Sequence, residues 1–404
     1  MAEKMNIPFS PPDITEEEIA EVADALRSGW ITTGPRVKEL ERQLAAYLGV
    51  PRCVCLNSQT ACAEMALRVL GVGPGDEVIV PAYTYTASAS VICHVGATPV
   101  MVDCAPDSFE MDYDAMGRAI TARTKAVIPV DLGGVPCGYD RIFAVLEEKR
   151  SLFNPASAIQ EVLGRVAVCE DAAHALGSAY HGRMIGSVAD FTSFSFHAVK
   201  NFTTAEGGCL TWSLPSEVLD DEVYQKVQLL SLHGQSKDAL AKTKLGAWEY
   251  DVLGPWYKCN MTDIQAALGL IQLKRYEGML ERRRELIALY DGYLKPLGVE
   301  PLPHQGEGYA SSGHLYICRV PGVSPDGRNA IIEAMAERGV ATNVHYKPLP
   351  LLTAYKDLGF DIADYPRAYA RFANEVTLPL HTCLTDEQAH YVASTFADIV
   401  GGAR

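Results

Sequence analysis

Residues 170–208 read EDAAHALGSAYHGRMIGSVADFTSFSFHAVKNFTTAEGG, and this stretch decides how the rest of the chain is interpreted. The apolar run at 166–169 comes directly before it, and such a run predicts a buried strand that ends at Asp171. Phenylalanine and serine alternate shortly before Lys200, a pattern typical of a second strand. A Glu-Gly-Gly turn at 206–208 then leads into another apolar run. The stretch therefore places a carboxylate and an amine near the ends of two predicted strands.

An aspartate at one strand end and a lysine near another are the two side chains that an enzyme using pyridoxal 5'-phosphate (PLP) needs. The lysine amine binds the cofactor aldehyde covalently, and the aspartate keeps the pyridine nitrogen protonated so that the ring accepts electrons. Each residue alone has an ordinary explanation, because lysine is mostly a solvated surface residue and a strand-end aspartate is commonly a turn former or helix cap. Their joint pattern favours Lys200 and Asp171 as the catalytic pair.

The same segment resembles the PLP-lysine region of the DegT/DnrJ/StrS-type sugar-nucleotide aminotransferases, where EDAAH or EDAAQ precedes SFH-x-x-K and then EGG. The resemblance extends over nearly the whole chain. It implies an α/β protein of PLP fold type I, the fold of the aspartate aminotransferase superfamily, with a large mixed, mainly parallel sheet domain and a smaller C-terminal α+β domain. We expect residues 1–260 to form the N-terminal segment and the large PLP-binding domain. Residues 261–404 are then a linking long helix and the small domain.

Predicted strands and helices alternate through the first part of the chain, which argues for a largely parallel sheet covered on both faces. Capping-box patterns at Thr15 and Thr262 predict two helix starts, and the second helix runs to about Leu294. The stretch 151–157 looks like an inserted loop in a segment, 142–165, that is long for this family. Further predicted elements are helices at 37–48, 61–70, 326–338 and 385–400, and strands at 53–56, 77–81, 98–103, 125–130, 314–320, 340–344 and 375–380.

The composition argues against several classes of protein. The chain has 404 residues, 48% of them hydrophobic and 21% charged, so it can bury a large core. Its formal net charge is −15 and no basic run occurs, which argues against nucleic acid as a partner. No apolar window is long enough to cross a bilayer, so we expect no membrane association and a cytoplasmic location. The 11 cysteines lack zinc-type spacing, so we expect no metal site and reduced thiols, mostly in the core.

A phosphate site is predicted at Ser58, Gln59 and Thr60, where a strand, a hydroxyl-rich turn and a helix start follow one another. Free backbone N–H groups and the helix dipole face an anion in such a turn. Simple N-capping by Ser58 explains the same residues. The family usually has glycine where this chain has Gln59, so the chain departs from the family pattern at the residue where the backbone approaches the phosphate. Ser195, on the alternating strand, is a further predicted phosphate contact.

Two more residues are expected to contact the cofactor ring. The resemblance assigns ring stacking to Tyr85, which lies in the family's PxxT-aromatic motif. It assigns a hydrogen bond to the phenolic oxygen of the cofactor to His174. Without the resemblance, a core position explains an aromatic residue or a histidine in either place.

The resemblance also implicates residues around the substrate. The loop GWITTGP lies at the substrate mouth in the family, which points to Thr32 and Thr33, with a plain connector as the alternative. His345 and Tyr346 resemble the family's HY-x-P motif on the substrate side. Tyr83 is a further expected substrate contact.

A segment just before the long helix, YKCNM, is similar to the family's YKYNM, with Cys259 in place of the second tyrosine. In the family this loop reaches into the site of the neighbouring subunit, so we expect a homodimer with shared active sites. Lys258 offers a cation and Asn260 an amide donor, both suited to the PLP phosphate. The alternative is a solvated Lys258 and an Asn260 that merely precedes the helix cap at Thr262.

Together these resemblances imply a PLP-dependent aminotransferase that moves an amino group from glutamate to a keto-sugar nucleotide, and similarity to one subgroup of the family favours a 4-keto sugar. Such enzymes serve surface polysaccharide or amino-sugar biosynthesis. A PLP-dependent sugar dehydratase of the same family would carry histidine in place of Lys200, and a non-enzymatic regulator would be free to lose Asp171. A cysteine desulfurase would need a nucleophilic cysteine on a mobile loop, and no cysteine here has that motif.

Overall fold

The protein is built on three sheets, which the computed structural model describes over residues 5–236 and 249–402. The largest sheet has seven strands, and the other two have four and three. In chain order the strands are β1 (Cys53–Leu56), β2 (Glu77–Pro81), β3 (Thr98–Val102), β4 (Thr124–Val127), β5 (Ala167–Asp171), β6 (Ala179–Tyr180), β7 (Arg183–Met184), β8 (Phe191–Ser195), β9 (Gly208–Trp212), β10 (Glu300–Pro301), β11 (Gln305–Gly306), β12 (Tyr309–Ala310), β13 (Tyr316–Arg319) and β14 (Glu375–Leu378).

Helices connect most of these strands and account for most of the C-terminal part that the structure describes. In chain order they are α1 (Glu16–Arg27), α2 (Pro35–Leu48), α3 (Gln59–Leu70), α4 (Thr86–His94), α5 (Tyr113–Ala119), α6 (Tyr139–Glu148), α7 (Ala158–Leu163), α8 (Glu217–Ser231), α9 (Asp263–Leu294), α10 (Pro325–Glu337), α11 (Thr353–Asp357), α12 (Pro366–Ala373) and α13 (Asp386–Gly402).

The large sheet has the order β1-β9-β8-β5-β4-β2-β3. The pairs from β8 to β3 are parallel, and β9 runs antiparallel to both β1 and β8, so the sheet is mixed and mainly parallel, as predicted. Strands β1, β2, β4, β5 and β9 are buried along their whole length because helices cover both faces. Parallel pairing of β5 with β8 brings the carboxyl ends of these two strands to the same edge of the sheet.

The long helix α9 links the large sheet to the C-terminal part of the chain. It begins with the predicted capping box, in which Thr262 Oγ1 accepts from the N–H of Gln265 and the Gln265 side chain accepts from the N–H of Thr262. Beyond it, β10, β13 and β14 form a three-stranded antiparallel sheet that α10 and α13 cover. This is the mixed α+β architecture that the sequence predicted for the small domain.

The start of the described chain packs with the C-terminal unit. Ile7 forms a parallel bridge with Val340 and belongs to the same buried apolar cluster as Tyr290, Tyr316 and Phe396. The division into 1–260 and 261–404 therefore stays a prediction, and the contact of Ile7 shows that the N-terminal segment is shared between the two units. In the part of the chain with described coordinates, no helix is both long enough and apolar enough to cross a membrane.

One local prediction needs revision, and one inserted loop gains a structural description. The predicted strand at 340–344 consists of two isolated bridges, because Val340 pairs with Ile7 while Asn343 pairs with Thr377 on a different element. The inserted stretch 151–157 is tied to the core at Ser157, whose Oγ donates to the carbonyl of Leu70 at 2.6 Å and caps α7. Most of the 11 cysteines are buried, and all are free thiols, as predicted.

Candidate active site

The carboxyl end of β5 holds a buried carboxylate. Asp171 is 5% exposed, and its two oxygens accept hydrogen bonds from Ser88 Oγ at 2.7 Å and from the N–H of Ala173 at 3.1 Å. Ser88 lies in the first turn of α4, and its hydroxyl also contacts Thr84 Oγ1 at 2.8 Å. Burial raises the pKa of Asp171, while the Ser88 hydrogen bond and the charge of Lys200 oppose that rise. The carboxylate is thus held in one orientation.

Lys200 and Asp171 meet in one continuous space. A cavity of about 360 Å³ is lined by Lys200, Ser58, Thr60 and Ser195, and it adjoins a smaller one of about 40 Å³ lined by Asp171 and Lys200. Burial lowers the pKa of Lys200 to about 8, and the charge of Asp171 limits this shift. The neutral amine, which is the nucleophilic form, is therefore much more abundant near neutral pH than for a surface lysine.

The N-terminus of α3 forms one wall of the larger cavity. Ser58 caps this helix, because its Oγ accepts a hydrogen bond from the N–H of Ala61 at 3.1 Å. The side chain of Gln59 points into the core instead, where Nε2 donates to Ser193 Oγ at 3.0 Å. First-turn N–H groups have no acceptor within their own helix, so those of Gln59 and Thr60 are free to bind an anion. Glutamine in place of the family's glycine is therefore compatible with a phosphate site.

The Glu-Gly-Gly turn lies directly beneath this helix start. A methyl group on Gly208 would lie 2.6 Å from the backbone nitrogen of Gln59 and 2.6 Å from the carbonyl carbon of Ser58. Only glycine allows β9 to pass so close to the turn between β1 and α3. Packing against the predicted phosphate site therefore requires glycine at position 208.

His174 lies at the inner end of the site in a defined protonation state. Its Nδ1 accepts a hydrogen bond from the N–H of Gly133 at 3.1 Å, so in the neutral ring Nε2 carries the proton. That Nε2 lies 3.1 Å from the hydroxyl of Tyr346. Burial holds the pKa of His174 well below its usual value, and Lys200 and His345 add to this effect. His174 is therefore neutral and carries its proton on Nε2, and its donation to the phenolic oxygen of the cofactor stays a prediction.

Tyr85 and Tyr346 stand together at the cavity wall. Tyr85 directly precedes α4, is 58% exposed, and its ring lies 5.7 Å from that of Tyr346. Both residues line the two connected cavities. An aromatic ring that is exposed inside a cavity has a free face on which a planar ligand can stack.

Two predicted substrate residues do not line the cavity. Tyr83 is 2% exposed, packs against Phe109 and donates its hydroxyl to the carbonyl of His345 at 2.9 Å. Its place in the core corrects the expectation of a substrate contact, because neither its ring nor its hydroxyl is free. His345 stacks on Phe9 at 5.5 Å, and its Nδ1 lies 3.0 Å from Thr377 Oγ1.

The predicted mouth loop around Thr33 and the predicted partner-site segment around Asn260 contact each other instead of the Lys200 cavity. Lys258 bonds to the side chain of Asn260, and Asn260 bonds to the hydroxyl of Thr33. The Thr33 hydroxyl donates to the carbonyl of Met261 at 2.6 Å, and the carbonyl of Thr32 accepts from the N–H of Asp263 at 3.0 Å. None of Thr32, Thr33, Lys258 and Asn260 lines the cavity that holds Lys200 in the same chain.

Two side chains that were not predicted also shape the site. Ser88 donates a hydrogen bond directly to Asp171. A hydroxyl in the first helical turn after Tyr85 was the sequence feature that could have indicated this contact. His314 lies with its ring 4.4 Å from that of His174, and its Nδ1 bonds to Asn201 Oδ1 at 2.8 Å. No sequence pattern pointed to His314. Over residues 5–236 and 249–402, no group of three or more His, Cys, Asp or Glu residues could hold a metal ion.

The residues present fit PLP. The α3 N-terminus suits the phosphate, and the carboxylate of Asp171 suits a protonated ring nitrogen. The amine of Lys200, whose pKa is lowered to about 8, lines the same cavities. When bound, PLP supplies an aldehyde carbon that exchanges amines and a ring that accepts electrons. The chain supplies a nucleophile, a fixed counter-charge and a neutral donor at His174.

Comparisons with known proteins match this chain to one family over nearly its whole length. The family model of the DegT/DnrJ/EryC1/StrS aminotransferases matches residues 12–397. The spore coat polysaccharide biosynthesis protein SpsC of Bacillus subtilis is 40% identical over 414 residues, which cover 100% of each chain.

Solved structures of similar proteins extend the comparison. Spr1654 from Streptococcus pneumoniae, described as a sugar aminotransferase, is 60% identical in its PMP form, with a TM-score of 0.96 over 99% of this chain and 100% of the other. Its PLP form is 58% identical over the same shares, also with a TM-score of 0.96. PseC of Helicobacter pylori, an aminotransferase of pseudoaminic acid biosynthesis, is 27% identical over 98% and 100% of the two chains, with a TM-score of 0.86. The chain belongs to the DegT/DnrJ/EryC1/StrS aminotransferase family and is a PLP-dependent enzyme of the transaminase type with fold type I.

Proposed function

We propose that this transaminase acts on sugars, and that its amino acceptor is a keto-sugar nucleotide. The observation that carries the proposal is the cavity shared by Lys200 and Asp171, in a chain that is 60% identical to a protein described as a sugar aminotransferase. The names of SpsC and PseC, which refer to polysaccharide and pseudoaminic acid biosynthesis, support a role in making surface polysaccharides or amino sugars.

The protein side of the reaction rests on three residues. Lys200 would hold the cofactor through its amine, and once an amino donor has freed that amine, it would take a proton from the donor α-carbon and return one on the cofactor side. A pKa of about 8 suits this double task, because both protonation states are accessible near neutral pH. Asp171, held by Ser88, keeps the ring nitrogen charged, and His174 donates from Nε2.

Glutamate is the proposed amino donor and a 4-keto sugar the proposed acceptor, as the motif resemblance implies. The larger cavity of about 360 Å³ is partly open, which gives a sugar access to Lys200. Lys200 also disfavours the dehydratase alternative, in which histidine occupies this position, and the intact pair of Lys200 and Asp171 disfavours a regulator that lacks catalysis.

The substrate is tested with a panel of UDP-, dTDP- and GDP-linked 3-keto and 4-keto sugars. Purified enzyme with PLP is given each sugar with glutamate, alanine or aspartate, and the product is identified by NMR. We expect amination at C4 of one nucleotide sugar, with glutamate as the best donor. An amine at C3 would refute the regiochemistry and leave the enzyme class intact. A lack of turnover with every nucleotide sugar would refute the substrate class.

We also propose a cytoplasmic homodimer in which Lys258 and Asn260 complete the site of the partner subunit. The support is that Lys258 is exposed, Asn260 is partly exposed, and neither side chain lines the Lys200 cavity of its own chain. Asn260 contacts Thr33, and Lys258 bonds to Asn260. A cation and an amide donor with no role in their own site are suited to a phosphate in another.

Subunit mixing tests this arrangement. Lys200→Ala and Asn260→Ala are each expected to be nearly inactive. Refolding the two together should restore about a quarter of wild-type activity, because about half the dimers are mixed and each mixed dimer has one intact site. Lys200→Ala mixed with Asp171→Ala is the control, and it should restore nothing because both residues serve the same chain. No recovery with Asn260→Ala, despite confirmed exchange, would place Asn260 outside the partner's site.

A further inference from the structure

Two buried carboxyl groups lie on the far side of β5 from the site. Glu170 and Asp171 are neighbours on this strand, so their side chains point to opposite faces of the sheet. Asp171 faces the cavity, whereas Glu170 is 1% exposed and faces Asp131, which is 0% exposed and follows β4. Neither Glu170 nor Asp131 has a role in the reaction described above.

Each of these carboxyl groups has one satisfied and one orphaned oxygen. Asp131 Oδ1 accepts from the N–H of Cys137 at 2.9 Å and from the hydroxyl of Tyr139 at 2.8 Å. Glu170 Oε2 accepts from Thr192 Oγ1 at 2.8 Å. The other two oxygens, Asp131 Oδ2 and Glu170 Oε1, are buried without any donor. A buried carboxylate oxygen without a donor is costly, and one proton between the two groups satisfies both.

The surroundings decide which group keeps the proton. Two donors stabilise negative charge on Asp131, and one donor does so on Glu170. Burial and the neighbouring charge of Asp131 raise the pKa of Glu170 well above its usual value, and burial raises that of Asp131 to about 6. The titratable groups that face the pair are Tyr139 and Cys137, and burial raises the pKa of both, so they stay neutral. Glu170 is therefore the acid and Asp131 the carboxylate.

The pair is connected to His174 through a short turn. The N–H of Asp131 donates to the carbonyl of Asp171 at 3.1 Å, and the 3-10 turn Leu132–Gly134 follows at once. Gly133 in this turn donates its N–H to His174 Nδ1. Gly134 is packed so tightly that a methyl group there would lie 2.9 Å from the carbonyl oxygen of His174.

We propose that Glu170 donates a shared proton to Asp131 and that these two positioning residues hold the Leu132–Gly134 turn in place. In this position, Gly133 fixes the Nε2–H tautomer of His174. The bridge joins the end of β5 to the turn after β4, and both flank the inner cavity. Loss of the proton would leave two buried charges in contact and push the turn away from β5. The His174 donor would then lose its orientation.

The first test uses the PLP-free protein, so it is independent of the substrate. Infrared spectroscopy at pH 7 is expected to show C=O bands of protonated carboxylic acids, shifted in D₂O. Burial also raises the pKa of Glu375, to about 8, so the band that belongs to Glu170 is the one present in the wild type and lost in Glu170→Gln. Glutamine keeps a donor at the same place, so the variant should fold like the wild type. Folding also holds this proton above the ordinary glutamate pKa of 4.5. Wild-type stability should therefore fall relative to Glu170→Gln as pH rises above that value.

The second test addresses His174. Imidazole ¹⁵N shifts should report the Nε2–H tautomer in the wild type and in Glu170→Gln, and a mixture of tautomers in Glu170→Ala. Glu170→Gln should keep kcat within about threefold, and Glu170→Ala should lower it by about tenfold or more with a smaller change in KM. Should Glu170→Ala fail to fold, Asp131→Ala serves in its place, because it removes the other partner of the bridge and should give the same mixture of tautomers and the same loss of kcat. Absence of a Glu170 acid band from the difference between wild type and Glu170→Gln, or an unchanged tautomer and kcat in the alanine variant, would overturn the proposal.

Discussion

Gly208→Ala is expected to damage the phosphate end of the site without touching a catalytic side chain. The added methyl group would lie 2.6 Å from the backbone nitrogen of Gln59, 2.6 Å from the carbonyl carbon of Ser58 and 2.7 Å from the carbonyl oxygen of Phe194. All three are backbone atoms, so no flexible side chain can yield. Either β9 or the start of α3 must move.

The size of the effect follows from these contacts. An extra methyl group in a well-packed site lowers the free energy of unfolding by about 1–3 kcal/mol. Because Gly208→Ala makes three close backbone contacts, we expect a loss of about 3 kcal/mol. Displacement of the α3 N-terminus also misaligns the N–H groups of Gln59 and Thr60. A loss of about 1.4–2.8 kcal/mol in phosphate binding corresponds to about a tenfold to hundredfold weaker affinity for PLP.

Gly278→Ala is the matched control. Gly278 is exposed in the middle of α9, and a methyl group there meets no atom within 4 Å, so this variant should gain about 1 kcal/mol from helix propensity. Unfolding of the PLP-free proteins and fluorescence titration with PLP measure the two effects separately. Native PLP affinity in Gly208→Ala, with stability equal to that of Gly278→Ala, would refute the close-approach argument.

Three further predictions concern the catalytic pair. Lys200→Ala should bind PLP without covalent attachment and lose turnover by several orders of magnitude, which single-turnover assays with glutamate measure. Turnover near the wild-type rate would exclude Lys200 as the proton shuttle. Because burial lowers the pKa of Lys200 to about 8, the rate of covalent PLP attachment should rise with pH and level off above about pH 8, and a midpoint near 10.5 would contradict this burial effect. Asp171→Asn should lower kcat by about 100-fold or more, and Ser88→Ala should lower it less, since Ser88 only orients the carboxylate.

The sequence alone determined the features that depend on neighbouring residues. Several predicted features depend on only a few adjacent side chains, and the structure has each of them. They are the capping boxes at Thr15 and Thr262, the buried strand that ends at Asp171, and the helix that starts after Ser58. The joint pattern of Asp171 and Lys200 and the family resemblance favoured them as a pair, but nothing in their spacing along the chain fixes the distance between them.

The tertiary structure alone decided the contacts that depend on strand order and register. Ser88 reaches Asp171 across 83 residues, and Gly133 reaches His174 across 41, because β2, β4 and β5 lie side by side in the large sheet. The burial of Tyr83 against Phe109 could not be predicted either, since an aromatic residue after a strand is equally suited to the core and to a cavity wall. Side-chain period assigns a residue to a face, but only the packing of that face against its neighbours decides whether it meets solvent, a ligand or another side chain.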